Sequence, residues 1–221
     1  MHNPESTVPP RILHAAEALA LGDIVRGLLH HARSPLQTLV FANHQIAEAT
    51  STADLEAVRE PLARSITTIE DTVSKLSSLY DASDDAVGPL VVGECVERVV
   101  AFQEMSKLQI RGEVSCTVAP RVPAGIGCAR HLELAMHLVL NHAKKAIDPV
   151  ESGAIAVRVA EGNDRGINIT VQIEGAVTLS EGHDEELELA ADLLAPHASV
   201  DVRATGAQRE YSVTMDRWTR R

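Results

Sequence analysis

A helical pattern that runs from residue 12 to about residue 80 constrains the fold more than any other feature of the sequence. Up to Thr50 it is broken only by Gly22, Gly27 and Pro35. The short polar step ATSTAD at 49–54 then offers Ser51 or Thr52 as the cap of a second helix. The pattern therefore predicts a long helical hairpin.

The second arm of this hairpin carries apolar residues in three- and four-residue steps. Four of them fall on a strict seven-residue repeat: Leu55, Leu62, Ile69 and Leu76. Such a repeat is typical of a helix-bundle seam. Two helices alone cannot bury both of their apolar stripes, so we expect two copies of the chain to form a dimeric four-helix bundle.

After the hairpin the pattern becomes mixed. The turn-forming, acidic segment DASDDAVGP at 81–89 predicts a domain boundary. Beyond it, helices are predicted at 93–107, 129–147 and about 184–195, and strands within QIRGEVSCTVA, AIAVRVA, GINITVQIE, ASVDVRA and REYSVTM. We therefore predict an α+β fold with a flexible segment at 1–10, the hairpin at 11–83 and an α/β sandwich at 84–221, with helices on one face of a mixed sheet.

Composition excludes several classes of function. The net charge of -11 offers no basic surface for nucleic acid or anionic lipid, so we expect neither as a partner. Aromatic residues make up 2% of the chain, which predicts an aliphatic core. The three cysteines have no metal-ligand spacing, so we expect reduced thiols, no bound metal and a cytoplasmic location. No apolar run is long enough to span a bilayer.

His30 is the candidate reactive side chain. In a helix, where successive side chains are set about 100° apart, it falls on a mostly polar strip. That strip also holds Asp23, Arg26, Ser34, Gln37, Phe41 and His44. The opposite, packed side is predicted to hold Leu28, Leu39 and Ile46, flanked by Val25, Ala32, Leu36 and Ala42.

An exposed helical histidine is common and by itself indicates nothing, but its surroundings here are unusual. Pro35 follows five residues later. A proline inside a helix costs about 3 kcal/mol or more, which favours a bend beside a site. His31 falls near the border with the packed face.

The stretch from His30 to Leu36, HHARSPL, resembles the H-box of two-component histidine kinases, commonly HELRNPL, and the hairpin resembles their dimerisation and phosphoacceptor domain. LELAMHLVLNHAKKAI at 132–147 is similar to the N-box helix of these kinases. VQIEGAV at 171–177 and LELAADLLAPHASVDV at 187–202 resemble the segments before and after their ATP lid. The resemblance extends over about 12–216.

The kinase nucleotide motifs are nevertheless lost. Where kinases carry the two N-box asparagines, the adenine-binding aspartate and the glycine of the second glycine box, this chain has Leu138, His142, Ile173 and Glu188. Asn141 is one position out of register, and Gly175 is the single glycine kept from the first glycine box. The lid is reduced to about TLSEGHDEE, and the acidic residue that follows the kinase histidine is His31. The resemblance therefore implies that ATP is not bound.

An acceptor histidine without a nucleotide site implies a histidine phosphotransferase of the ChpT-like type. Such a protein takes a phosphoryl group on His30 from one receiver-domain aspartate and passes it to another, while the receiver supplies Mg²⁺. Its partners would be receiver domains of a hybrid histidine kinase and of response regulators. Candidate contact residues for the phosphoryl group or the receiver are His31, Arg33, Ser34, Pro35, Gln37 and Phe41.

Three alternatives remain open at this point. A dimeric pseudokinase would sequester or modulate a response regulator or a kinase without using His30 chemically. An active kinase with an unusual nucleotide site would still bind ATP. A partner-switching protein of the anti-sigma type shares the kinase-like ATP fold but normally lacks the phosphoacceptor hairpin.

Overall fold

Two long helices precede a five-stranded mixed sheet in this protein. The structure is a computed structural model, and it describes residues 8–81, 86–105, 113–147, 153–162, 166–175, 184–205 and 208–219. The helices are α1 Pro10–Glu48, α2 Thr52–Asp81, α3 Val92–Met105, α4 Ala129–Ala146 and α5 Glu185–Leu194. The strands are β1 Gly88–Leu90, β2 Val114–Val118, β3 Gly125–Gly127, β4 Ala154–Glu161, β5 Ile167–Glu174, β6 Ala198–Thr205 and β7 Gln208–Met215.

The turn between α1 and α2 is fixed by a reciprocal cap. The Asp54 backbone N–H donates to the Ser51 hydroxyl oxygen at 3.3 Å, and the Ser51 backbone N–H donates to the Asp54 carboxylate at 2.9 Å. This arrangement satisfies two backbone donors at the start of α2 that would otherwise have no partner. The cap predicted at Ser51 or Thr52 thus forms at Ser51, and α2 begins one residue later.

The large sheet has the strand order β2-β4-β5-β7-β6. β2 runs parallel to β4, and the other neighbours are antiparallel. Burial alternates along the strands, so that Ile155, Val157 and Val159 of β4 face the core while Arg158 is exposed. This alternation is that of a sheet with helices on one face and solvent on the other.

Sequence reasoning located the helices and the five strands of the large sheet but missed β1 and β3. These two strands form a separate antiparallel pair in which Gly88 lies opposite Gly127. They have only three residues each, too few to show a period. A Cβ at Gly125 would lie 2.8 Å from the Val92 side chain, so the strand can pass this close to α3 because the residue is glycine. Residues 1–7 of the expected flexible segment and residues 82–85 of the expected boundary lie outside the described residues.

The first turns of α1 pack against α4 and α5 of the sandwich. Ala16 is fully buried in the main core cluster, and Val8, Ile12 and Leu13 pack against that cluster. Glu17 forms an ion pair with Arg130 at the start of α4. One end of α1 is therefore part of the sandwich core, while the rest of the helix continues along α2.

A buried polar network joins α3 to α4. The Gln103 side-chain amide donates to Asn141 Oδ1 at 3.2 Å and lies 3.0 Å from His137 Nδ1. The Lys144 ammonium donates to the backbone oxygen of Gln103 at 3.3 Å and to its side-chain oxygen. Burial, with a smaller contribution from the Lys144 charge, lowers the pKa of His137 from 6.5 to about 4. His137 is therefore neutral in the folded protein near pH 7.

None of the helices in the described ranges combines the length and the hydropathy that a membrane-spanning segment requires.

The low pKa of His137 predicts that the protein loses stability in mild acid. Between about pH 6.5 and pH 4 the unfolded chain binds a proton at this residue that the folded chain does not, so the free energy of unfolding falls as the pH falls. At pH 5 we expect a loss of about 2 kcal/mol relative to pH 7.5 from this group. Urea titrations at the two pH values measure the loss.

The variant His137→Leu should remove most of this pH dependence, since Gln103 keeps its hydrogen bond to Asn141. The control is His44→Gln, which changes an exposed side chain on α1 and should keep the wild-type dependence because His137 is intact. An unchanged pH dependence in His137→Leu would contradict this assignment.

Candidate functional site: the exposed strip of α1

The middle of α1 presents a continuous strip of exposed side chains around His30. His30, Arg33, Ser34, Gln37 and Phe41 are all exposed, in agreement with the face deduced from helical spacing. Phe41 is 62% exposed, which is unusual for one of only two phenylalanines in the chain. The structure therefore brings these five predicted site residues together on one surface. The side chain of His31 lies outside those that the structure describes.

Pro35 interrupts the hydrogen-bond ladder of α1 next to this strip. The helix continues through Pro35, but proline has no N–H to donate to the carbonyl of His31, four residues earlier. The Thr38 hydroxyl donates to the carbonyl oxygen of Ser34 at 3.1 Å. Pro35 thus removes one backbone hydrogen bond of α1 at the carbonyl of His31, the residue that follows His30.

An apolar groove lies beside the strip. Its volume is about 570 Å³, and its lining residues are Leu29, Arg33, Leu36, Gln37, Val40, Phe41 and His44. Leu29 is 66% exposed and Val40 is 73% exposed. Exposed apolar residues also occur on α2, where they are Leu55, Ile66 and Val73. The hairpin therefore has an uncovered apolar surface on both helices.

The packed face predicted for α1 is covered only in part. Ala42 is buried, but Val25, Leu36 and Ile46 are 45%, 51% and 43% exposed. The reason is that α2 lies on one side of this face and covers the sector of Ala42. The neighbouring sector remains open within a single chain.

The positions that correspond to the kinase nucleotide site lie in the sandwich. Leu138 on α4 is fully buried and Ile173 on β5 is 3% exposed, so both belong to the hydrophobic core. His142 Nδ1 lies 2.9 Å from the Tyr211 hydroxyl, and its Nε2 lies 3.4 Å from the Asp184 carboxylate. Burial is the main cause that lowers the pKa of His142.

The start of α5 contacts the C-terminal end of α4, where His142 also lies. Lys145 forms an ion pair with Glu186 at 2.5 Å, and Glu188 is exposed on the next turn. Gly175, which directly follows β5, has a backbone φ of 130°. Residues with a Cβ rarely adopt this angle, so any other residue here would be strained. Residues 178–183 of the predicted TLSEGHDEE lid lie outside the described residues. Cations of α4 thus pair with carboxylates of the chain itself.

Sequence reasoning missed the residues that occupy this region. Tyr211 is fully buried on β7, where burial raises its pKa to about 12, and Arg209 lies over its ring at 5.5 Å. Neither has a local sequence signal, because their contact with α4 depends on the register of β5 with β7. The pairing of Lys145 with Glu186 joins residues 41 positions apart and is equally invisible in the sequence.

In the described parts of the chain no group of three or more histidine, cysteine, aspartate or glutamate side chains is placed to hold a metal ion. Cys95, Cys116 and Cys128 are free thiols. Burial raises the pKa of Cys95 to about 12 and that of Cys116 to about 11, so neither is an activated thiolate near pH 7.

Comparison with known proteins identifies the fold. No protein-family model and no curated protein matches the sequence. The structure is similar to the histidine kinase domain of the blue-light activated kinase EL346 from Erythrobacter litoralis, with a TM-score of 0.50, 16% identity and coverage of 80% of this chain and 95% of that chain. The catalytic domain of histidine kinase ThkA also has a TM-score of 0.50, at 9% identity, and the match covers 59% of this chain and 95% of that chain.

A bacterial phosphotransferase matches with a TM-score of 0.47 and 13% identity, over 88% of this chain and 95% of that chain. Identities this low establish the fold and nothing finer. The chain therefore has the mixed helix and sheet fold of histidine kinase catalytic domains, with a helical N-terminal part.

Proposed function

We propose that this protein is a histidine phosphotransferase of a two-component phosphorelay and carries the phosphoryl group on His30. The observation that supports this most is the exposure of His30 in the middle of α1, next to the interrupted helix turn at Pro35. An exposed imidazole is a nucleophile at neutral pH. Among the described residues, its side chain is open to solvent.

The proposed reaction needs little from this chain. An unprotonated imidazole nitrogen of His30 attacks the phosphorus of a receiver aspartyl phosphate, and a nitrogen–phosphorus bond forms as the phosphorus–oxygen bond to the aspartate breaks. The aspartate leaves with the electron pair as a carboxylate, and the proton on the other ring nitrogen is free to pass to water. The second transfer reverses these steps on another receiver. The receiver would supply the Mg²⁺ that neutralises the transferring group.

The neighbours of His30 suit these requirements. Arg33 and Ser34, one turn further along, offer donors for phosphoryl oxygens or for the receiver backbone. Gln37 and the exposed ring of Phe41 continue the strip and provide polar and apolar contact area for a docked receiver.

Use of ATP does not suit the sandwich. The Leu138 and Ile173 side chains are packed in the core where a kinase has polar ligands. Lys145 is paired with Glu186, and His142 contacts Tyr211 and Asp184. A nucleotide would have to break these contacts and bring its phosphates next to the carboxylates of α5. We therefore propose that the chain binds no nucleotide.

A dimer is part of the proposal. The exposed apolar side chains of α1 and α2 would each gain about 1.5–3 kcal/mol on full burial. A second hairpin, packed to form a four-helix bundle, would cover them in both copies at once. Such a dimer would act in the cytoplasm, where receiver domains of hybrid kinases and response regulators are found.

The second candidate is a pseudokinase that sequesters a receiver or a kinase. The apolar groove beside His30 favours it, because this surface can bind a partner without any chemistry at the imidazole. The two functions differ in whether His30 itself is needed.

Phosphoryl transfer is the first prediction of the proposal. Purified protein mixed with phosphorylated receiver domains should gain acid-labile label, and a second receiver should remove it. His30→Ala should lose the label by at least about 100-fold, because no other nucleophile replaces the imidazole. Phosphoprotein gels and mass spectrometry of the labelled peptide measure this.

His14→Ala is the matched control, since it removes an exposed histidine of the same helix that lies outside the strip. It should label like wild type. A receiver that binds equally well to wild type and His30→Ala, with no label on either, would exclude transfer and favour sequestration.

The dimer interface is the second prediction. Wild type should have a mass of twice 23.7 kDa by light scattering. The double variant Leu36→Glu, Ile66→Glu should be monomeric, because four carboxylates would be buried without partners in the bundle. Val91→Glu, at a residue of the sandwich that is 58% exposed, should stay dimeric. A monomeric wild type would rule the bundle out.

Nucleotide binding is the third prediction. Millimolar ATP with Mg²⁺ should shift the melting temperature of this protein by less than about 1 °C, since a ligand far below its Kd adds almost no stability. An active histidine kinase catalytic domain serves as the positive control. Saturable binding detected by calorimetry would restore the kinase alternative.

A further inference from the structure

Arg26 stands on the same exposed strip as His30, one turn before it. Both side chains are exposed on α1, and so is that of Arg33 on the following turn. Residues four apart and three apart on a helix are neighbours, with Cβ atoms about 5–6 Å from each other. Arg26 and Arg33 therefore flank His30 along the helix, one turn before it and one turn after it.

The direction of helical side chains strengthens this placement. In an α-helix the Cα–Cβ bonds tilt toward the N-terminus, so a side chain covers the turn before its own Cα. A phosphoryl group on the His30 ring would therefore extend over the turn that carries Arg26. The Arg33 side chain leans toward the turn of His30 itself.

The negative charge of phosphorylated His30 is the reason why nearby arginines matter. A phosphoryl group adds close to two negative charges to a protein whose net charge is already -11. Guanidinium groups bind phosphoryl oxygens through paired N–H donors better than any other side chain. A cation on each side would favour the phosphorylated state over the free imidazole.

We propose that Arg26 contacts the phosphoryl group on His30 and, together with Arg33, forms a two-arginine clamp around it. This inference rests on the proposed function and deepens it. During transfer the nitrogen–phosphorus bond forms as the bond from phosphorus to the receiver carboxylate breaks, and Arg26 receives the negatively charged oxygens without exchanging a proton.

Transfer kinetics are the first test. Arg26→Ala should label at a rate roughly tenfold below wild type, as expected for the loss of one exposed charge-assisted contact. Arg26→Lys should recover only part of the rate, because an ammonium cannot bind two oxygens in the same plane. The matched control is Arg59→Ala, which removes an exposed arginine of α2 and should label like wild type.

A second measurement does not need a receiver. Phosphoramidate transfers its phosphoryl group to exposed imidazoles, with ammonia as the leaving group, and so can load His30 directly. The phosphorus-31 chemical shift of the product then reports the pKa of the phosphoryl group. Arg26→Ala should raise that pKa by about half a unit, because a neighbouring cation stabilises the dianion. Arg59→Ala should leave it unchanged.

The outcomes separate this inference from the proposed function. If wild type and Arg26→Ala match in both measurements while receivers still label His30, the relay stands and the role of Arg26 is wrong. If no receiver labels wild type but Arg26→Ala raises the phosphoryl pKa, the clamp stands and the relay is wrong. If neither a receiver nor phosphoramidate labels His30 in wild type, both are wrong.

Discussion

The burial of α4 on nearly every side is the constraint on which the rest of this structure depends. The sheet, α3, α5 and the first turns of α1 all pack against it, and 14 of its residues are buried. A helix in that position has no solvent to satisfy its polar side chains, so each needs a partner within the protein. Gln103 meets this need for Asn141 and Lys144, and Tyr211 meets it for His142. These polar side chains of α4 are therefore already engaged within the protein.

The same packing sets the position of the exposed strip of α1. Because Ala16 lies in the core of the sandwich and Glu17 is paired with Arg130, the start of α1 is held on the sandwich surface. His30 lies 14 residues further along one continuous helix, about 21 Å away along its axis. The sandwich therefore serves as an anchor for the helix that carries the imidazole.

Much of this could be read from the sequence, for identifiable reasons. The helices are long enough to show their period, and the alternation in AIAVRVA and INITVQIE marks two half-buried strands. The strip of His30 follows from spacing alone, since all its members lie on one helix. What spacing cannot give is contact between elements. The pair of Glu17 with Arg130 and the contact of His142 with Tyr211 depend on how distant segments pack.

The partial exposure of the predicted packed face shows the same limit. Helical periodicity correctly groups Val25, Leu36 and Ile46 on one side of α1, but a single α2 covers only the sector of Ala42. Periodicity identifies the apolar face of a helix, but it does not identify what packs against that face. The apolar sector that a single chain leaves open on α1 borders the polar strip of His30, and residues of both line one groove, since Leu36 lies there beside Arg33 and Gln37.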